Sequence, residues 1–213
     1  MKAKTHLSQA KSRGGFTLVE MLVVISMIAA LAGISFPVYK SIQKKVEKQK
    51  FEMMMGSLER AVDNFETEYN YLPYIGSSYP ASDTSFVYKA GDGHLEDFFT
   101  VLYAPEGASA AVMGANFKRI RFFECQEAEG GPGGYENGLL VTNTTATLYT
   151  PWGDQYQRLR LDYSGDGKMV NPWATSEEHI TKIMLYDWGP DDSWGARYSS
   201  DWDDNFSNTP IYD

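Results

Sequence analysis

One stretch sets the architecture of this 213-residue chain, Arg13-Gly14-Gly15-Phe16-Thr17-Leu18-Val19-Glu20, where a short basic leader meets a long apolar run. From Phe16 to Pro37 nearly every residue is apolar or small, and Glu20 is the single charged residue. A helix of about 22 residues is roughly 33 Å long, enough to cross the hydrocarbon core of a bilayer. Because a carboxylate costs about 2.5–3.5 kcal/mol at the centre of such a span, Glu20 indicates a specific role.

The helical pattern continues beyond Pro37. Apolar residues recur there at steps of three or four, and they are Phe51, Met54, Leu58, Val62, Phe65 and Tyr69. We therefore predict one helix from Phe16 to about Tyr69, with a transmembrane and assembly half at residues 16–37 and an amphipathic half at residues 38–70.

The remainder of the chain changes character twice. Residues 71–115 are irregular, with a short helix predicted at Leu95–Tyr103. Strand signals then follow in residues 116–213, at Phe117–Cys125, Gly138–Tyr149, Tyr156–Tyr163 and Ile180–Tyr186. We expect an α+β fold in which a small antiparallel sheet packs on the amphipathic half of the long helix, followed by an acidic C-terminal loop.

Charge is distributed unevenly along the chain. The leader, residues 1–15, holds four of the 19 basic residues and none of the 28 acidic ones, so the rest of the chain carries a net charge of −13. Such an acidic domain is a poor nucleic-acid binder, because phosphate contacts need clustered Lys and Arg. Cys125 is the only cysteine, which excludes an intramolecular disulfide.

The junction at Gly15-Phe16-Thr17-Leu18-Val19-Glu20 resembles the N-terminal signature of type IV pilins and type II secretion pseudopilins. The resemblance implies cleavage between Gly15 and Phe16 by a prepilin peptidase and N-methylation of Phe16. It also implies that Glu20 pairs with the terminal amine of a neighbouring subunit during filament assembly. A buried carboxylate is tolerable when a cation meets it, which agrees with that role.

Two other interpretations of the junction remain open. One is an ordinary secretory signal cut after Ala30-Leu31-Ala32, although Glu20 fits poorly in its apolar region. The other is a plain signal anchor. Charge alone does not decide the orientation, because five lysines follow the apolar run, Lys40, Lys44, Lys45, Lys48 and Lys50. From the resemblance we expect a cytoplasmic leader, a single pass through the cytoplasmic membrane and an extracytoplasmic domain.

Two downstream patterns favour a secretion pseudopilin within this superfamily. The turn Pro151-Trp152-Gly153-Asp154 is similar to one that precedes a strand in major pseudopilins. The acidic tail from Asp187 onward resembles their calcium-binding loop, and the possible ligands are Asp191, Asp192, Asp203 and Asp204. The alternative for this tail is a solvated acidic segment.

A third acidic pattern, Asp162-Tyr163-Ser164-Gly165-Asp166-Gly167, matches part of an EF-hand loop. Its twelfth position is Trp173 instead of the glutamate that such a loop needs, so a plain turn is the better interpretation.

The sequence shows no catalytic signature: its histidines lack metal-ligand spacing, and it has no phosphate loop or nucleophile elbow. We expect a structural subunit of a type II secretion pseudopilus, whose partners are the prepilin peptidase, other pilin-like subunits and an inner-membrane assembly platform. A type IV pilus subunit is the alternative. A membrane-anchored extracytoplasmic domain that binds calcium or acts as an enzyme is a third possibility.

Overall fold

A computed structural model describes residues 15–76, 78–83, 88–89, 93–132, 134–153, 158–170, 178–187 and 206–207. The chain divides into two compact units, Met1–Lys45 and Val46–Asp213. The first unit contains the beginning of a long helix, and the second contains the rest of that helix together with the strands that the structure describes.

Helix α1 runs from Leu18 to Tyr69 over 52 residues, which confirms the single long helix predicted from the sequence. In the second unit its apolar stripe is buried, with Leu58 and Phe65 fully inaccessible to solvent. The helix ends at Asn70, whose left-handed backbone (φ 61°) lets its N–H donate to the carbonyl of Glu66 at 2.7 Å. Such a cap satisfies one of the carbonyl groups that a helix end leaves without a partner.

The remaining elements are short. Their bounds are β1 Tyr88–Lys89, α2 His94–Tyr103, a 3₁₀ turn Val112–Gly114, β2 Glu129–Gly131, β3 Gly134–Glu136, β4 Gly138–Val141, β5 Ala146–Tyr149, β6 Arg158–Leu161, β7 Met169–Val170, β8 Glu178–His179, β9 Ile183–Asp187 and β10 Phe206–Ser207. A four-stranded sheet has the order β1-β6-β9-β10, and the other strands pair as β2-β3, β4-β5 and β7-β8. Every one of these pairs is antiparallel, in agreement with the expected α+β class.

The core of the second unit lies between α1, α2 and the two central strands β6 and β9. Leu159 pairs with Leu185 and Leu161 pairs with Ile183, and these four side chains belong to one buried cluster with Phe65. Side chains alternate along β6, because Leu159 and Leu161 are fully buried while Arg158 and Arg160 are only half-buried, and the alternation ends at Asp162, which is also buried. Burying the apolar face of a strand against a helix stripe supplies the main favourable term in folding.

The strand predicted over Phe117–Cys125 is wrong. The backbone turns at Arg119 (φ 54°), and the N–H groups of Phe122 and Phe123 both donate to the carbonyl of Leu102, at 2.9 and 3.2 Å, near the end of α2. Phe122 and Phe123 contact helices instead of pairing as a strand, because their rings lie 5.1 Å from Phe65 of α1 and 5.7 Å from Phe99 of α2 between centroids. The Gly138–Tyr149 signal is a hairpin of two strands, and the last predicted strand begins at Ile183 instead of Ile180.

Within the part of the chain that the structure describes, no helix combines the length and the apolar character needed to cross a membrane. The transmembrane half predicted at residues 16–37 stays a prediction.

One buried side chain connects α1, α2 and the irregular segment that follows the 3₁₀ turn. Asn116 is fully buried, and its Oδ1 accepts hydrogen bonds from the hydroxyl of Tyr69 at 2.6 Å and the N–H of Ile120 at 3.0 Å. Its Nδ2 donates to the carbonyls of Val101 and Ile120, both at 2.7 Å. The amide is therefore fully satisfied, as a buried polar group requires.

Replacing Asn116 by Leu should destabilise the protein by at least about 2 kcal/mol, because several buried polar groups lose their partners at once. Urea unfolding of the detergent-solubilised full chain measures this effect. Asn64→Leu on the exposed face of α1 is the matched control, and we expect its midpoint to stay close to that of the unsubstituted chain. Equal midpoints for the two variants would contradict the role of Asn116.

Lys182, just before β9, forms ion pairs with two acidic residues of α1. The ammonium of Lys182 donates to Asp63 Oδ1 at 2.7 Å and to Glu66 Oε2 at 2.8 Å, and these bonds raise the pKa of Lys182 to about 12, from an ordinary value of 10.5. Because the folded pKa lies above the unfolded one, this contribution to stability is fully present below pH 10.5 and is lost as the pH rises through about 12.

Lys182→Met should therefore lower the unfolding free energy at neutral pH, and the difference from the unsubstituted chain should shrink above pH 10.5 and vanish as the pH rises beyond about 12. The comparison must be made between variants, because burial also raises the pKa of Tyr69 and its ionisation costs stability in the same pH range. Lys168→Met, which removes a single exposed ion pair with Glu178, serves as the control. A difference that persists unchanged above pH 12 would refute the assignment.

Candidate functional site

The predicted cleavage site lies just before α1. Gly15, Phe16 and Thr17 precede the helix, and the side chain of Phe16 is 76% exposed. A peptidase needs accessible backbone that is free of helical hydrogen bonds, and the Gly15–Phe16 bond is placed where such backbone occurs. Cleavage between Gly15 and Phe16 and methylation of Phe16 stay predictions.

Thr17 and Glu20 form a capping box at the start of α1. The N–H and the hydroxyl of Thr17 both donate to Glu20 Oε2, at 2.8 and 2.7 Å. In return, the N–H of Glu20 donates to the hydroxyl oxygen of Thr17 at 3.2 Å. This reciprocal arrangement satisfies backbone donors that a helix start leaves without partners. The negative charge also lies at the positive end of the helix dipole, where it is stabilising.

The capping box leaves one oxygen of Glu20 available. Both bonds from Thr17 go to Oε2, and among the described residues Oε1 accepts no hydrogen bond. The carboxylate can therefore hold its own helix start and accept a cation from another molecule at the same time. Sequence reasoning missed the role of Thr17, although the spacing Thr-x-x-Glu is itself a capping-box signal.

The surface around Glu20 is apolar on every side. Large exposed side chains follow one another along the first unit, and they are Leu18, Val19, Met21, Leu22, Val23, Val24, Ile25, Met27, Ile28 and Leu31. A helix that is hydrophobic all round needs apolar surroundings, which a bilayer or a bundle of like helices can supply.

The turn at Pro151-Trp152-Gly153 anchors a hairpin on α1. The ring of Trp152 stacks on Phe51 with centroids 5.6 Å apart, and the N–H of Gly153 donates to the carbonyl of Thr150 at 3.0 Å. Gly153 has φ 76°, and a Cβ there would lie 2.9 Å from the carbonyl oxygen of Tyr135. These contacts give the turn a packing role, while residue 154 lies outside the described residues.

The loop after β6 is a turn organised by Asp162. Its Oδ1 accepts from the Ser164 hydroxyl at 2.9 Å and the Gly165 N–H at 2.8 Å, and its Oδ2 accepts from the Gly167 N–H at 2.7 Å. Asp162 is also buried. These bonds agree with the turn interpretation, and Trp173, which stands at the twelfth position of the EF-hand pattern, lies outside the described residues.

The four aspartates predicted as calcium ligands, Asp191, Asp192, Asp203 and Asp204, lie outside the described residues, so this site stays a prediction. Across the described residues, no three His, Cys, Asp or Glu side chains are grouped closely enough to hold a metal ion. Cys125 is half-buried, and burial raises the pKa of its thiol, which disfavours the reactive thiolate.

Comparison with known proteins gives a match at the N-terminal junction around Gly15 and Phe16. Residues 10–36 match the family model of the prokaryotic N-terminal methylation motif. No curated protein and no solved structure gives a significant match to the chain. The matched residues include the Gly15–Phe16 bond, Thr17 and Glu20, so this chain carries a type IV pilin-like N-terminal signature.

Proposed function

We propose that this protein is a structural subunit of a type II secretion pseudopilus, processed at the cytoplasmic membrane and assembled there into a filament. The observation that carries the proposal is the methylation motif at residues 10–36, within which Glu20 caps its own helix and keeps one oxygen available. An assembly role uses this combination, whereas a secretory signal that is removed has no use for it.

Cleavage after Gly15 would create an amine at Phe16, one residue before the capping Thr17. A cation at this end of a helix is repelled by the helix dipole, so the amine gains from a carboxylate supplied by another molecule. Oε1 of Glu20 in a second copy is such an acceptor. In an apolar filament core both charges are costly alone and tolerable as a hydrogen-bonded pair, which makes the pair a means of setting the register between subunits.

In the proposed filament, the exposed apolar residues of the first unit hold neighbouring subunits together. Before assembly they would be covered by lipid, and afterwards by the same segment of neighbouring subunits. Moving this segment from one apolar environment to another costs little free energy, so side-chain packing and the charge pair can decide whether subunits assemble. The prepilin peptidase, other pilin-like subunits and an inner-membrane assembly platform are the partners that this route needs.

A secretion pseudopilus is favoured over a type IV pilus by three features. The lone Cys125 excludes the disulfide staple of many pilins, the Pro151-Trp152-Gly153 turn is similar to that of major pseudopilins, and the acidic tail could replace the staple with calcium. A type IV pilus subunit is the second candidate, because the methylation motif serves both kinds of filament. An anchored extracytoplasmic calcium-binding or enzymatic domain is the third.

Substitutions at Glu20 separate its assembly role from its capping role. Gln at this position can still complete a capping box with Thr17, but it cannot pair with an amine as an anion. We expect Glu20→Gln and Glu20→Ala to lower the sheared filament fraction alike, by about tenfold or more, since one charge-assisted bond contributes on the order of 1.5–3 kcal/mol. Immunoblotting of sheared and cell fractions measures the loss.

Processing is the control for this experiment. Mass spectrometry of the mature N-terminus should find methylated Phe16 in the unsubstituted chain and in both variants. If Glu20→Gln assembles normally while Glu20→Ala does not, Glu20 acts as a cap and not as a charge. A mature chain that begins at Gly33 would overturn the assembly function altogether.

We further propose that the acidic tail binds Ca²⁺ through Asp191, Asp192, Asp203 and Asp204, since clustered carboxylates are the ligands that this ion prefers. Calcium at 100 times its Kd should stabilise the full chain by about 2.7 kcal/mol over the chelated protein, seen as a higher Tm. Asp204→Asn should abolish the shift, and Glu52→Gln on the exposed face of α1 should preserve it. Equal melting temperatures with calcium and with chelator would remove the site.

A further inference from the structure

Two arginines of the second unit, on the segment that follows the 3₁₀ turn, are held in place by neutral groups. The guanidinium of Arg119 donates to the carbonyls of Glu106 and Ala108, at 3.2 and 3.0 Å. Nε of Arg121 donates to the carbonyl of Tyr103 at 3.3 Å, and its guanidinium lies 4.2 Å from the centre of that ring. Both arginines are exposed, and neither forms an ion pair with a described residue. The two cations are therefore fixed in position, yet the described residues do not neutralise their charges.

An exposed aromatic ring accompanies these arginines. Phe117 is 66% exposed, although its ring contacts Tyr69 at the end of α1 with centroids 5.1 Å apart. Aromatic residues and arginine are both enriched at protein–protein interfaces relative to the rest of a protein surface. We call Phe117, Arg119 and Arg121 the basic surface.

Two glutamates face each other across the strand pair β2–β3. Glu129 pairs directly with Glu136, so their side chains lie on the same face of the hairpin. Both are exposed, and Glu129 accepts a hydrogen bond from the neutral amide of Asn137 at 3.1 Å. Within the described parts of the chain, neither glutamate forms an ion pair with a cation. Like charges directly opposite each other destabilise an antiparallel pair, and a cation from another molecule would relieve this repulsion.

The basic surface and the glutamate pair lie at different heights along α1. Lys118, between Phe117 and the two arginines, forms an ion pair with Glu68 near the C-terminal end of the helix. The Glu136 side chain lies next to the turn whose Trp152 stacks on Phe51. Phe51 and Glu68 are about 17 residues apart on the helix, or roughly 25 Å along its axis. The two surfaces of one copy therefore lie apart.

We propose that the basic surface of one copy binds the Glu129–Glu136 pair of the next copy, as a heterologous contact between neighbouring subunits. The contact rests on the proposed filament function and adds to it a surface of the second unit. Since the same chain presents both a cationic and an anionic surface, a second copy can neutralise both at once. Repeated contacts of this kind build an open filament when the rotation between copies does not close. Complementary charges fix the orientation of such a contact more than they add to its affinity.

Charge reversal tests this pairing. The full chain carrying Arg119→Glu and Arg121→Glu should lower the sheared filament fraction by about tenfold or more, because like charges would then face each other. Glu129→Arg with Glu136→Arg should have the same effect, and the chain with all four substitutions should recover most of the fraction. Arg60→Glu, which reverses an exposed cation of α1, is the control and should leave assembly unchanged. A purely structural role of either pair would give no recovery.

Cross-linking tests the contact while all four charges stay in place. The full chain carrying Phe117→Cys, Pro132→Cys and Cys125→Ser, assembled and treated with a short bismaleimide, has one thiol beside each surface. Denaturing electrophoresis should then show a ladder of dimers, trimers and larger species. Phe117→Cys without Pro132→Cys should give dimers at most, and Thr144→Cys in place of Pro132→Cys, on another exposed turn, should give no ladder.

The outcomes separate the contact from the proposed function. Filaments without a ladder, or no recovery in a four-fold variant whose urea midpoint shows that it is folded, would refute the contact and leave the proposed function standing. If a charge-reversed chain does not fold, the ladder decides. Normal assembly of the Arg119→Glu, Arg121→Glu chain, with loss of binding to phosphatidylglycerol vesicles, would assign the basic surface to lipid and overturn the contact. If the unsubstituted chain forms no filaments, the proposed function fails and the contact fails with it.

Discussion

The second unit depends on the burial of the apolar stripe of α1. Phe51, Leu58 and Phe65 are inaccessible to solvent because α2, the central strands and the Trp152 turn cover them. No disulfide closes this unit, since the chain has one cysteine. The covering elements are short, and most strands have two to four residues. Isolated hairpins of that size are marginally stable in water, so these strands are stabilised by packing against the apolar stripe of α1.

Both units contain part of α1, but its apolar residues are buried in the second unit and exposed in the first. In the second unit its apolar residues occupy one stripe, and the protein itself covers that stripe. In the first unit the apolar residues point in all directions, and the protein covers none of those described. An apolar surface of this kind needs apolar surroundings, and the residues that match the methylation motif lie in this unit. Thr17 and Glu20 add the polar specificity that apolar contacts lack.

Sequence reasoning correctly predicted the helices, because the spacing of apolar residues encodes them. The extent of α1 and the short helix at His94–Tyr103 follow from apolar spacings of three and four residues. The segment from Phe117 to Cys125 misled it, because burial against helices selects the same aromatic residues as a strand does. The tertiary partners of Asn116 are distant in sequence and leave no local pattern. At the site, Glu20 stood out as a charge in an apolar run, whereas Thr17 escaped notice because its role is a hydrogen bond to that charge.

The position of β9 in the sheet has a consequence for how the unit forms. This strand, at Ile183–Asp187, lies between β6 and β10 although it comes more than 110 residues after the end of α1. Until the ribosome has made the chain through residue 187, the sheet lacks one of its two central strands and the apolar stripe of α1 lacks part of its cover. Such long-range pairing makes folding slow and leaves apolar surface unprotected meanwhile. The core of the second unit can therefore close only after β9 has been synthesised.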